Sequence, residues 1–371
     1  PLAVLANGIF LALNYWNSRT KRFGRLSIAK GAQSIVTSGA QLGLGISGAT
    51  HAGGLIGSRV LGIVSVAVLL GKQTWQDAGH ILREGANWRG IVAGFRRHRK
   101  FPLYSTWSAL LNSISWQLPS FLLSSFFSTS VVGYYALGTR VLRLPMSLIG
   151  SAIAQVFFQR AAEAKVEGTL DKVVESAYRR LVMLGMFPLL MLTIVGRDLF
   201  VIVFGDSWAE AGVYTQILSI WTFFWFISSP LSTLFSVLEK QKTGAKFHIV
   251  IFTTRFLALG AGGVLKNARI GLLLFAVSGV FVYGYLSFAI MTSAGVPYVR
   301  IFQILIHNLT LFIPAGLIVG VLSLFSVSRE LLVGVSGLLL VLYLIYIIAM
   351  DNQLRNLFSG VFERLHGDSV R

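Results

Sequence analysis

Arg140 and Arg143 open a polar stripe that continues through Ser147, Ser151 and Gln155, spaced three or four residues apart in an otherwise apolar stretch. On a helix those positions share one face, so the stretch carries a polar seam. Gln33, Thr37 and Gln41 form a second seam at i, i+4 and i+8, and Asn112, Ser115 and Gln117 place further polar groups just before Pro119. Arg59 and Arg255 are two more cations within apolar stretches. Guanidinium groups grip phosphate with a bidentate fork, while amides and hydroxyls suit hydroxyl-rich ligands. The chemistry on offer is recognition of an anion, not bond making.

A single buried arginine has a plainer reading, as an ion pair or as a side chain snorkelling to an interface. Four of them need counter-charges that the apolar stretches lack, because Asp198 and Glu239 stand only near stretch ends. An arginine at mid-membrane costs about 2.5–3.5 kcal/mol on insertion scales, so the set wants an anionic ligand.

Other chemistries drop out. The chain has no cysteine, and its six histidines show no metal-ligand spacing. No Walker loop, nucleophile elbow or carboxylate pair is present, so neither enzyme activity nor a cofactor is expected. Gly43-Leu-Gly45-Ile-Ser-Gly48 matches a dinucleotide fingerprint letter by letter. It lacks the βαβ context that gives the motif meaning. Together with Gly53 and Gly57 it reads better as a place where helices approach closely. The sequon Asn308-Leu309-Thr310 falls inside an apolar stretch and is discounted.

These residues must be held by membrane helices. Of 371 residues, 54% are hydrophobic and only 12% charged, about half the charge of a soluble domain. Apolar runs of membrane-crossing length recur along the chain, and backbone groups in lipid must be satisfied within their own segment. The expected fold is an all-α integral membrane protein of about eleven transmembrane helices. The expected spans are 1–16, 28–47, 53–71, 103–127, 131–155, 181–204, 213–238, 247–265, 270–292, 301–325 and 331–350. Alternate loops hold 24 of the 32 Lys and Arg residues, which predicts that the 17–27 loop, residues 72–100 and the C-terminus face the cytoplasm. That placement also turns the net charge of +18 towards anionic lipid and excludes nucleic acid as a partner. Pro1 then lies on the outer side, in mid-run, and an odd number of spans is expected upstream. Residues 73–100 interleave Trp75, Trp88 and Phe95 with Arg and Lys, as in an amphipathic helix on the inner surface or a small soluble linker.

Over most of its length, and most densely between 101 and 245, the chain resembles a known family. The carrying segments are Phe101-Pro-Leu-Tyr-Ser105, Leu111-Asn112-Ser113, Gln117-Leu-Pro119, Val132-Gly-Tyr-Tyr-Ala-Leu137 and Arg140-Val-Leu-Arg-Leu-Pro-Met146. Gln155-Val-Phe-Phe158, Ala161-Ala-Glu-Ala164, Phe204-Gly-Asp-Ser-Trp208 and Ile227-Ser-Ser-Pro-Leu231 continue it. Together they are similar to the polysaccharide and O-antigen flippases of the multidrug/oligosaccharidyl-lipid/polysaccharide exporter superfamily. The resemblance implies a fourteen-helix, two-bundle transporter, with three spans upstream of this chain. Residues 1–72 would be the second half of one bundle, 101–295 the second bundle, 296–350 an extra helix pair and 351–371 a cytoplasmic tail. It implies a flippase for polyprenyl-pyrophosphate-linked oligosaccharides in a bacterial inner membrane, serving O-antigen, capsule or exopolysaccharide synthesis. The expected partners are that lipid-linked oligosaccharide, membrane lipids and polysaccharide polymerase machinery. A cation-coupled drug exporter of the same superfamily is the alternative, disfavoured by the scarcity of intramembrane carboxylates.

Overall fold

The computed structural model describes residues 2–20, 22–47, 52–85, 90, 92, 93, 96, 106–325 and 327–351. Among them the chain is helical and contains no strand. The helices are α1 (Leu2–Arg19), α2 (Phe23–Ile46), α3 (Ala52–Gly85), α4 (Thr106–Phe126), α5 (Thr129–Leu142) and α6 (Ser151–Glu167). They continue with α7 (Leu170–Phe204), α8 (Ala209–Leu231), α9 (Gln241–Val264), α10 (Ala268–Ser293), α11 (Tyr298–Leu324) and α12 (Arg329–Met350). Among the described residues each expected span lies mostly in helix, and the pass expected at 131–155 is shared by α5, a π-turn at Met146–Gly150 and the start of α6.

Seven of these helical stretches are long and apolar enough to cross a membrane: the 56–79 part of α3, α7, α8 with its flanking turns, and α9 to α12. The others contain the polar seams, or, for α1, three asparagines, and those residues lower their hydropathy. Large apolar side chains such as Phe281, Leu317, Leu338 and Ile345 are exposed on the outer faces, as a lipid-facing surface requires.

Two compact units emerge, residues 1–103 and 104–371. In the first, α1, α2 and α3 pack round Ala29, Val66 and Leu70. Asn17 donates to the Leu13 carbonyl at 2.9 Å and to the Thr74 hydroxyl at 3.3 Å, tying α1 to α3. Arg22 and Arg25 both pair with Asp77, so the start of α2 and the far part of α3 share one end. Helix α3 runs on as helix to Gly85, beyond the expected span end at 71, with a kink at Ala78. Most of the 86–105 stretch, including the Phe101–Ser105 motif, and the tail beyond 351 lie outside the described residues.

In the second unit α8 is central, and its buried residues run from Ala211 to Leu231 on all sides. Tyr178, Leu181, Leu218, Phe226, Phe275 and Ile290 form the core around it. Helices α11 and α12 belong to this unit and pack on α7 through Phe187, Val195, Val319, Leu332 and Tyr343. Tyr343 stacks on Phe187, with ring centroids 4.4 Å apart, and donates to the Met183 carbonyl at 2.7 Å.

Close helix contact is made by other glycines than expected. A Cβ at Gly43, Gly45, Gly53 or Gly57 would meet nothing within 4 Å among the described residues. A Cβ at Gly279 would overlap the Trp221 indole, and one at Gly62 would overlap the Thr37 hydroxyl. Gly138 approaches Thr215 and the Ala211 carbonyl, where a Cβ would stand 2.9 and 3.1 Å away. The close approaches therefore lie deep in helices α3, α5 and α10, not at the ends of α2 and α3.

Candidate functional site

The site begins with a broken helix. Pro119 sits inside α4 and has no N–H to give to the carbonyl four residues earlier, that of Ser115. In lipid such an oxygen must find another donor. It finds the Arg255 side chain from α9, whose Nη1 donates to the Ser115 carbonyl at 2.9 Å and to the Ser115 hydroxyl at 3.2 Å. The other guanidinium nitrogen, Nη2, donates to the Tyr283 hydroxyl of α10 at 3.0 Å.

Aromatic faces complete the enclosure. The Arg255 guanidinium lies 4.6 Å from the ring centroid of Trp116, 5.7 Å from that of Trp221 and 5.4 Å from that of Phe275. Trp225 packs edge-on against Trp116, with centroids 5.1 Å apart. Hydrogen bonds from a charged donor contribute about 1.5–3 kcal/mol each, and a desolvated cation–π contact about 2 kcal/mol. Those contributions outweigh the insertion cost of about 2.5–3.5 kcal/mol, so Arg255 stays buried in place. It is only 3% exposed. In this conformation its donors are turned onto helix α4 and Tyr283.

Arg143 approaches the same tryptophan. Its guanidinium stands 4.7 Å from the Trp116 ring centroid, yet the residue as a whole is exposed. Buried Tyr135 lies in the field of both Arg143 and Arg255. Arg140, one turn earlier, is also exposed. Among the described residues no carboxylate pairs with Arg59, Arg140, Arg143 or Arg255. The arginines at helix ends behave differently. Arg269 pairs with Glu210, Arg329 with Asp198 and Asp206, Arg180 with Asp351, and Arg179 with Glu175. The acids are consumed at the ends, and the interior keeps unneutralised cations.

The long stripe from Arg140 to Gln155 is not one straight face. Arg140, Arg143 and Ser147 are exposed together, but Pro145 and the π-turn at Met146–Gly150 interrupt the helix between them and α6. A π-turn carries one extra residue, so the regular 3.6-residue spacing is interrupted between Arg143 and α6. The side chains of Ser151 and Gln155 lie outside the described residues. The Ser147 hydroxyl donates back to the Leu144 carbonyl at 2.9 Å.

On α4, Asn112, Ser115 and Trp116 share one face, and Asn112 is half-buried. Gln117 points off that face and is exposed. In the first unit, Gln33, Thr37 and Gln41 are half-buried along α2, with Thr37 packed on Gly62 of α3, and Arg59 is exposed. The sequence-predicted residues thus fall into three places. Arg143 and Arg255 meet on Trp116, Arg140 and Ser147 line the exposed face beside them, and the 33–41 seam and Arg59 belong to the other unit. The aromatic cage of Trp116, Trp221, Phe275 and Tyr283 was missed as a set. Its signal was the proline at 119, which requires a donor for the carbonyl at 115.

No group of three or more potential metal-ligating side chains occurs among the described residues. This arrangement can bind an anion beside an exposed cationic face, with sugar-sized aromatic and amide groups nearby.

Comparisons with known proteins bear on the fold and the family. A solved structure titled "Lipid II flippase MurJ, inward closed conformation" superposes with a TM-score of 0.66, covering all of this chain and 72% of its own, at 13% sequence identity. At that identity the likeness speaks to the fold alone. A Klebsiella pneumoniae protein described as "Uncharacterized membrane protein in cps region" is 23% identical over 288 residues, which is 75% of this chain. The matched part spans 58% of that relative's length. The family described as "Polysaccharide biosynthesis protein" matches residues 1–213, more than half of the chain. With a multi-pass helical fold and that match, this chain is a member of the polysaccharide biosynthesis protein family of membrane proteins.

Proposed function

We propose that the protein is a flippase that moves polyprenyl-pyrophosphate-linked oligosaccharide repeats across a bacterial inner membrane for surface polysaccharide synthesis. The observation that carries this reading is the pair Arg140 and Arg143, exposed on one face without a carboxylate partner. A pyrophosphate supplies the missing counter-charge and fits the guanidinium fork. Trp116 holds Arg143, and Arg255 holds the broken α4 that carries Trp116. Asn112 and Gln117 offer hydrogen bonds of the kind that sugar hydroxyls take. The names that the relatives carry, a lipid II flippase and a membrane protein of a cps region, support a lipid-linked saccharide as cargo. The loops richest in Lys and Arg, and the C-terminus, face the cytoplasm in this reading. A cation exporter fits less well, because a cation entering this interior meets like charge.

Complementation tests the proposal. In a strain lacking a matched flippase, the protein expressed from its complete reading frame should restore surface polysaccharide and give no resistance to cationic dyes. Arg140→Ala or Arg143→Ala should remove that restoration while protein levels stay near wild type. Full restoration by both alanine variants at normal abundance would refute the cationic site.

A further inference from the structure

A second basic pocket lies in the other flank of the unit and takes no part in the site above. It has a volume of about 670 Å³ and lies where α7 and α11 begin and α12 ends. Its rim carries Arg179 and Arg180 of α7 and Arg300 of α11, with Asp351 at the end of α12. Below the rim its wall is largely apolar, with Met183, Leu311 and Ile347, and Gln303, His307 and Asn308 add polar groups. On α11 the lining residues Arg300, Ile304, His307 and Leu311 recur at helical spacing, so the basic rim and the apolar wall are one continuous face.

The charges do not balance. Arg180 pairs with Asp351 at 3.2 Å and Arg179 with Glu175 at 2.9 Å. Arg300 reaches only the Gln303 amide oxygen, at 3.4 Å. Three guanidinium groups therefore line the pocket against one carboxylate, that of Asp351. The pocket is charged at the helix ends and greasy below. That gradient matches a membrane lipid with an anionic head, not a water-soluble anion, which has no use for the apolar wall.

We propose that this pocket is a binding site for an anionic phospholipid of the phosphatidylglycerol class, its phosphate on Arg300 and Arg179 and its acyl chain along Met183, Leu311 and Ile347. The site is independent of the transport reading, because none of its residues belongs to the Trp116 cage. A lipid seated there adds a bridge between α7, α11 and α12 beyond their packing through Phe187, Val195, Val319, Leu332 and Tyr343.

Native mass spectrometry of the detergent-purified full-length protein tests this, with dioleoyl-phosphatidylglycerol and dioleoyl-phosphatidylcholine as probes. The expected result is a preference for phosphatidylglycerol of roughly tenfold, equivalent to about 1.4 kcal/mol. The double variant Arg179→Gln/Arg300→Gln should lose the preference. Arg197→Gln, which removes an exposed charge at the opposite end of α7, should keep it. Equal retention of both lipids, or an unchanged preference in the double variant, would overturn the proposal. So would displacement of phosphatidylglycerol by equimolar inorganic phosphate, which marks a free-anion site, or by polyprenyl pyrophosphate, which assigns the pocket to the cargo.

Discussion

The Arg255 guanidinium is hydrogen-bonded to the Ser115 carbonyl, the oxygen that Pro119 leaves without its helical partner. A cation 140 residues away thus repairs a helix that its own proline breaks. The same guanidinium lies over Trp116, whose ring also carries Arg143. Structure and charge are therefore coupled: the arginine that holds the cage is distinct from the arginines left exposed to a ligand.

That coupling can be measured with a double-mutant cycle. Residue 119 regains an N–H in Pro119→Ala, and the Ser115 carbonyl regains a donor within its own helix. Arg255→Ala should then be less destabilising in the Pro119→Ala background than in the wild type, by roughly 1 kcal/mol in unfolding from mixed micelles. Strict additivity of the two substitutions would show that the Arg255 bond does not serve the proline break.

Gly279 gives a packing test. It lies against Trp221, itself 3% exposed and held by Trp116, Trp225 and Phe275. The indole has no room to yield, so Gly279→Ala should cost about 1–3 kcal/mol by overpacking. Gly284→Ala, where a Cβ would meet Phe224 at an ordinary 3.6 Å, is the matched control. Equal stability of the two variants would count against the Trp221 contact.

Ion pairs fix which helix ends lie together, and they bear on topology. Arg329 pairs with Asp206, and Arg269 with Glu210, so the 325–329, 205–210 and 265–269 turns share one end. Lys165 donates to the Val237 carbonyl at 2.9 Å, and Arg180 pairs with Asp351, which gathers contacts at the ends of the positively charged loops. The protein has no native cysteine, so single cysteines report sidedness cleanly. Ser128→Cys and Ser207→Cys should react with an impermeant thiol reagent added outside intact cells, and Ser18→Cys should not. External labelling at position 18 would reverse the orientation.

Much of this was legible in the sequence, for a physical reason. Helices in lipid satisfy their backbone internally, so apolar runs mark them. Among the described residues each expected span lies mostly in helix, although seven stretches alone are apolar enough to cross a membrane by length and composition. Side-chain geometry was less legible. Regular spacing assumes a straight helix, and Pro145 with the π-turn at Met146–Gly150 interrupts that spacing, while the side chains of Ser151 and Gln155 lie outside the described residues. Arg255 read as a cation without a partner because its partners, a carbonyl on α4 and a tyrosine on α10, are brought to it only by tertiary packing. The fourteen-helix count and the placement of 86–105 rest on residues beyond those described.

The central claim is that unneutralised arginines within the membrane helices bind an anionic lipid carrier. The most direct measurement is binding of polyprenyl-pyrophosphate oligosaccharide and of uncharged polyprenol to the reconstituted full-length protein, at low and high salt. The account predicts tighter binding of the pyrophosphate by at least roughly tenfold, with the gap narrowing as salt screens the exposed charges and closing in Arg140→Ala/Arg143→Ala. Equal affinity for the charged and uncharged lipids, unchanged by salt or by the double substitution, would contradict it.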